Sequence, residues 1–380
     1  MNLFHIDGQR AYEIDTIESI DTPALLVFED RVKRNLEQMK THLNRIDPGS
    51  DFKHLCAHIK TNKSPWTLRL MQQAGIEYFK TTLNELELAV DSGMKDIFLA
   101  YPLLSRPAKT VAGIILDNPD VHISVQAGSD RHLEILEKEA ERSGVIWSVF
   151  LDVDVGMHRT GADTGSALKL MDRIHSKSCF QFEGIHAYDG HIHHKQLQER
   201  KKQAEISMNS AVSFAKNVLQ KGIPIPRIVA AGSITYLLDL DLLLKHLPAE
   251  IQIQVSPGTF IYWDTGYDEI LPGDFEFSAL VLSQLIEAGS DSVTLNLGHK
   301  RWGADNGPVE LFSVKDARVK SFSEEHTVLH AENHNLKIGD YICVVPRHVC
   351  PTVNLYETFT VVGEGGKILE NKSPVQGRNR

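Results

Sequence analysis

Between about residues 50 and 260, short apolar runs alternate with longer stretches whose apolar residues recur every three or four positions. The short runs predict strands over 55–59, 77–81, 96–101, 122–126, 147–152, 182–188, 227–231 and 251–255. The longer stretches predict helices over 84–92, 130–142, 166–175 and 195–220, with Gly93, Gly144 and Gly222 where helices should stop. Eight strands separated by helices imply parallel pairing through right-handed crossovers, and eight is the number that closes a barrel. An open doubly wound sheet is the alternative architecture. The earlier run 23–28 stands outside the series and is free to pair with a second domain.

After residue 260 the texture changes to short alternating runs over 278–285, 292–297, 309–314, 327–331, 340–345 and 358–362. Turn residues such as Gly289-Ser290 and Gly363-Glu364-Gly365-Gly366 separate them, which is the pattern of a mostly antiparallel β domain. The expected α/β architecture is therefore a (βα)8 TIM-type barrel over 26–260 and a β domain over 261–380 that also takes 1–25. Residues 372–380 are polar and read as frayed.

Composition narrows the function classes. The chain has 380 residues, 42% hydrophobic and 24% charged, ordinary for a soluble enzyme. A net charge of −10 argues against nucleic acid, whose phosphates need a concentrated basic face. No apolar run approaches the roughly 18 residues of a membrane span. The first seven residues lack a secretory pattern. Cys56, Cys179, Cys343 and Cys350 are too few and scattered for a disulfide scaffold, so a cytoplasmic address is expected. Most of the 18 histidines, including those crowded into 189–194, read as surface or hydrogen-bonded residues.

Barrel chemistry belongs at the C-terminal ends of the strands. The first strand ends in Cys56-Ala57-His58-Ile59-Lys60-Thr61-Asn62-Lys63, where a partly desolvated lysine is the nucleophile a Schiff base needs. Taken alone, such a lysine is usually solvated. The last two strands run into Ala230-Ala231-Gly232-Ser233-Ile234-Thr235 and Val255-Ser256-Pro257-Gly258-Thr259-Phe260-Ile261-Tyr262. Such small-residue turns after strands seven and eight are where barrels commonly hold phosphate, although either one alone can be only a turn. A reactive lysine opposite a phosphate cradle suggests pyridoxal phosphate.

Several ordered motifs carry a family resemblance over nearly the whole chain. They are Asp-Thr-Pro-Ala-Leu-Leu at 21–26, His-x-Lys-Thr-x-Lys at 58–63, Ala-Tyr-x-Gly at 187–190, Pro-Gly-Thr at 257–259 and His-Val-Cys-Pro-Thr-Val-Asn at 348–354. With them the chain resembles the fold-type III pyridoxal-phosphate enzymes of the alanine racemase N-terminal-domain class, and within it the D-threonine aldolase and D-serine dehydratase family. The resemblance implies that Lys60 carries the cofactor and that Arg159 contacts its ring oxygen. It puts Tyr188 near the cofactor and Gly232, Ser233, Gly258, Thr259 and Tyr262 on its phosphate. Cys56-Ala57 stands where the family usually has Arg-Pro, and 230–235 is a sparser turn than usual, so the substrate is less defined than the cofactor.

His348 and Cys350 sit two apart after an apolar run, and alternation along an extended chain would put both on one face. Imidazole and thiolate suit zinc, and the resemblance implies a divalent metal here, zinc or manganese. Such a metal can acidify a substrate β-hydroxyl for retro-aldol cleavage, or help it leave in dehydration. His194 matches the histidine that D-threonine aldolases use as base. Cys350 matches dehydratases better than aldolases. The reading taken is retro-aldol cleavage of a β-hydroxy D-amino acid to glycine and an aldehyde, with D-serine dehydratase-like elimination as its alternative. An amino-acid racemase would need a second acid/base facing Lys60, and none is identifiable from sequence. A non-catalytic pyridoxal-phosphate-binding protein would lack the added β domain. The family implies a homodimer.

Overall fold

The computed structural model describes residues 2–332 and 334–378. The chain divides into two compact units, one made of residues 40–60 and 71–258 and the other of the remaining segments.

The first unit is built on eight parallel strands: Cys56–His58, Tyr78–Thr81, Asp96–Leu99, His122–Ala127, Trp147–Asp152, Phe180–Ala187, Arg227–Ala230 and Gln252–Val255. They pair in chain order. A parallel bridge between Leu55 and Val255 joins the first to the eighth, and the His58 N–H donates to the Pro257 carbonyl. The sheet therefore closes, and the open doubly wound alternative is excluded. Between strands run helices such as Leu86–Asp91, Ser105–Asp117, Asp130–Ser143, Thr164–Ser176, Leu197–Gln220 and Tyr236–His246. Local sequence sets their ends. Ser129 caps one helix by accepting from the His132 N–H, and Asp163 caps another by accepting from Gly165 and Ser166. Gly144 closes the first of these in the left-handed region, at φ 78°. The helix expected from Lys195 begins at Leu197.

The barrel interior is layered. Cys56, Phe98, Phe150 and Val229, from strands one, three, five and seven, make an apolar layer of four. At the N-terminal ends of the strands Arg227 bonds Asp96 at 2.9 Å and also pairs with Glu183, which holds His122 at 3.1 Å. Such a network fixes the closed end. Towards the C-terminal end the inward positions are polar, and the chemistry lies there.

The second unit carries a mostly antiparallel sheet. Its strands run in the order Arg318–Phe322, Thr327–His330, Ser292–Leu295, Ala279–Ala288, Ala24–Phe28, Thr358–Val362 and Ile368–Pro374, with Tyr341–Val345 also beside Ala279–Ala288. The run before the barrel thus joins this sheet. Ala24–Phe28 pairs antiparallel with Ala279–Ala288 and parallel with Thr358–Val362. Two strands escape the sequence pattern. Arg318–Phe322 is almost wholly exposed, and Ile368–Pro374 alternates only weakly. The latter corrects the frayed tail, because Ser373 and Val375 are buried. Residues 379 and 380 lie outside the described residues. Among the described residues no helix is long and apolar enough to cross a membrane.

Candidate active site

A cavity of about 570 Å³ opens within the barrel unit, lined by His58, Lys60, Lys80, Thr82, Gln126, Arg159, His186 and Tyr188, and also by Ala100, Tyr101, Pro102, Leu104 and Thr160. The size and lining suit a small-molecule site. Lys60 lies two residues beyond the first strand. Its backbone faces the His58 ring, and the Ile59 N–H is held by the Lys80 carbonyl. Arg159 is carried by a loop that Asp154 organises: its Oδ1 accepts from the Gly156 and His158 N–H groups, and its Oδ2 meets His158 Nδ1 at 2.7 Å. The guanidinium carbon sits 4.9 Å above the Tyr188 ring centre. Among the described residues neither Lys60 nor Arg159 forms an ion pair with a carboxylate, so their charge is available to an anionic guest.

Tyr188 is fixed by two glycines. A Cβ on Gly190 would fall 2.3 Å from its ring, and one on Gly232 would fall at 3.2 Å. The turns after strands seven and eight meet where the Gly258 N–H faces Ser233 Oγ at 3.3 Å. A Cβ on Gly258 would lie 2.4 Å from the His58 carbonyl oxygen, so only glycine lets the eighth strand's turn approach the strand that leads to Lys60. These close backbone approaches, with the hydroxyl of Ser233, form a cradle of the kind that holds phosphate. Thr259 follows in a buried single turn, Thr259–Ile261. Tyr262 is fully buried and its hydroxyl bonds Thr67 Oγ1 at 2.7 Å, with burial pushing its pKa up.

Three residues missed by sequence reasoning meet inside the barrel, from strands two, five and six. Asp152 Oδ1 meets His186 Nδ1 at 2.7 Å, and His186 Nε2 meets Lys80 Nζ at 2.8 Å. Burial drives the imidazole down to about 4. Burial opposes the Asp152 charge, but the His186 hydrogen bond holds its carboxyl below the usual range. Near pH 7 the ring is neutral: Nδ1–H donates to Asp152 and Nε2 accepts from Lys80. Burial likewise takes Lys80 down to about 7. The available signal was an ionisable residue inside each of three predicted strands, Lys80, Asp152 and His186. Lys80 adds a second amine to the cavity that Lys60 lines.

His194 is exposed, its carbonyl accepting from Arg200 at 2.7 Å, and it is not among the lining residues of the cavity. His348 and Cys350 do not lie on one extended strand. His348 is the extended residue before the helix Val349–Asn354, and Cys350 falls inside that helix. The two side chains are nevertheless hydrogen-bonded. Burial opposes charge on His348, yet Cys350 and Asp305 lift its pKa to about 9. Asp305 Oδ2 stands 2.6 Å from Nδ1, and Cys350 Sγ is 3.2 Å from Thr61 Oγ1. Among the described residues no set of three or more His, Cys, Asp or Glu side chains forms a metal cage. An imidazole and a thiol within bonding reach of each other fit a site with open positions for water or substrate.

Comparison with known proteins agrees with this fold. The alanine racemase N-terminal domain matches residues 27–265, and a putative serine dehydratase domain matches residues 278–362. D-threonine aldolase of an Arthrobacter species is 24% identical over 360 residues, 92% of this chain and 91% of that protein. The crystal structure of D-threonine aldolase from Filomicrobium marinum superposes with a TM-score of 0.85 at 23% identity, covering 95% of this chain and 97% of that one. D-threo-3-hydroxyaspartate dehydratase from Delftia sp. HT23 gives 0.80 at 17%, over 94% and 99%. The chain belongs to the alanine racemase N-terminal-domain family of pyridoxal-phosphate enzymes, in the form that carries a serine dehydratase-type domain after the barrel.

Proposed function

We propose that this enzyme is a pyridoxal-phosphate- and metal-dependent lyase that cleaves β-hydroxy D-amino acids between Cα and Cβ, giving glycine and an aldehyde. The observation that carries the proposal is the cavity shared by Lys60, Arg159 and Tyr188, with two cations free of carboxylate partners beside a glycine-lined turn. Lys60 binds the cofactor covalently and Arg159 offsets the negative charge of its ring oxygen. Gly232, Ser233, Gly258, Thr259 and Tyr262 hold its phosphate, and Tyr188 bounds the ring. Once bound, the cofactor stabilises negative charge at the substrate's Cα. His348 and Cys350 hold a divalent metal, zinc or manganese, that lowers the pKa of the β-hydroxyl. His194, whose ring has no hydrogen-bond partner among the described residues, takes that hydroxyl proton. The proposal includes a homodimer.

Cys350 favours a second reading, elimination of the β-hydroxyl to a keto acid and ammonia, in which Lys60 takes the α-proton and no separate base is needed. A product assay separates the two. With D-threonine and D-serine supplied in turn, with added zinc or manganese and after chelation, D-threonine should yield glycine and acetaldehyde. Keto acid and ammonia without glycine would overturn cleavage in favour of elimination.

A further inference from the structure

Lys80 is only 3% exposed, yet its amine lines the same cavity as Lys60. It meets His186 Nε2 at 2.8 Å and Ser256 Oγ at 2.9 Å. Ser256 directs its own proton to the Ala231 carbonyl at 2.8 Å, and the neutral His186 ring presents a bare nitrogen, so both contacts draw hydrogens from Lys80. An ammonium has three hydrogens. Among the described residues the third has no partner, and Lys80 lines the cavity where a ligand can supply one. Asp152 reaches Lys80 only through His186, so among the described residues the buried cation lacks a directly bonded anion. The cost of that arrangement is what takes Lys80 down to about 7, and an anion arriving with the ligand favours the charged form again. Lys80 and Arg159 lie about one aromatic ring, their charged groups 5.2 and 4.9 Å from the centre of Tyr188.

We propose that Lys80 is a positioning residue for the cofactor: with Arg159 it sets positive charge beside the bound ring and lowers the proton affinity of the nitrogen that links the ring to Lys60. The inference deepens the proposed function and rests on Lys60 carrying the cofactor. A cation within a few ångströms of a protonated nitrogen destabilises that protonated form by Coulomb repulsion. The groups that face Lys80 are Cys56 from strand one, Lys60 beyond it, Asp152 from strand five, Arg159 from the following loop and His186 from strand six. Cys56, pushed up to about 12 by burial, is uncharged near neutrality. Among the described residues Asp152 is therefore the counter-charge that faces Lys80, and it is committed to His186.

The test uses the holoprotein without substrate. Borohydride reduction and peptide mapping first establish which lysine carries the cofactor, and the absorbance of the bound cofactor is then titrated against pH. Lys80→Met should move the midpoint up by about one pH unit or more. Lys80→Arg, which keeps the charge, should stay within a few tenths of the parent. Lys80→Gln replaces the methionine variant if that one does not fold. A midpoint unmoved in the neutral variants, with cofactor still on Lys60, overturns the role of Lys80 alone. A parent whose cofactor is not linked to Lys60 overturns the underlying reading, and the two failures are distinguishable.

Discussion

Asp189 and Asp239 form a buried carboxyl pair whose replacement gives a measurable pH signature. Asp189 follows Tyr188, and Asp239 lies in the helix Tyr236–His246 that continues from the Gly232–Ser233 turn. Their exposures are 1% and 0%. Thr235 Oγ1 donates to Asp189 Oδ1 at 2.9 Å, and the Asp239 carboxyl is buried close enough to Asp189 for each to shift the other's proton affinity. Two ionised carboxylates cannot share that site, so burial, then the Asp189 charge, hold Asp239 well above the usual carboxylate range. The sign follows from proton counting. The folded state keeps a proton that the unfolded chain releases near pH 3.9, so the pair's contribution is complete below that pH. It is lost as pH rises towards the raised value, at up to about 1.4 kcal/mol per pH unit, one proton's worth. Asp239→Asn supplies a permanent donor and cannot ionise. Its stability relative to the parent should therefore climb as pH rises above about 4, by up to about 1.4 kcal/mol per pH unit. Urea unfolding at pH 5, 6, 7 and 8 measures the difference, whatever constant offset the amide introduces. Parallel pH profiles for the two proteins would refute the shared proton.

Three further perturbations bear on the cofactor and the reaction. Gly258→Ala puts a methyl 2.4 Å from the His58 carbonyl; it should cost about 1–3 kcal/mol of stability by thermal melting and weaken cofactor binding, and an unchanged melting temperature would count against the close approach. Lys60→Ala should lose the parent's cofactor absorbance and activity, while Lys80, the second amine of the cavity, is where peptide mapping should find any cofactor still trapped by borohydride. Exhaustive chelation should suppress turnover while leaving cofactor absorbance intact, because His348 and Cys350 lie outside the barrel unit that holds Lys60; undiminished turnover would remove the metal from the reaction.

The barrel was legible because its strands are buried on both faces. Trp147–Asp152 is buried at all six positions, so an apolar run, bounded by turns, marked each strand. Arg318–Phe322 carried no such mark, since an exposed edge strand needs no apolar residues to pair. The run Ala24–Phe28 stood apart from the barrel series in the sequence, and it pairs with strands more than 250 residues later in the chain, a choice set by tertiary partners.

The site divides along a different line. Lys60 and Tyr188 sit in strand-end motifs, Arg159 lies in the loop after strand five, and the family resemblance was enough to single them out. Lys80, Asp152 and His186 lie within strands, where a charged residue in an apolar run reads as an irregularity until the barrel brings strands two, five and six together. His348 and Cys350 show the opposite error, in which a periodicity argument assumed strand geometry where the chain turns into a helix. His194 tests whether motif spacing alone carries a role. If it is the general base of cleavage, His194→Ala should lower turnover about a hundredfold with cofactor absorbance unchanged. The same change at exposed His191 or His193 should have little effect. An unreduced rate of glycine formation from D-threonine in His194→Ala would leave the base unassigned, and elimination, which needs only Lys60 and the metal, would become the stronger reading.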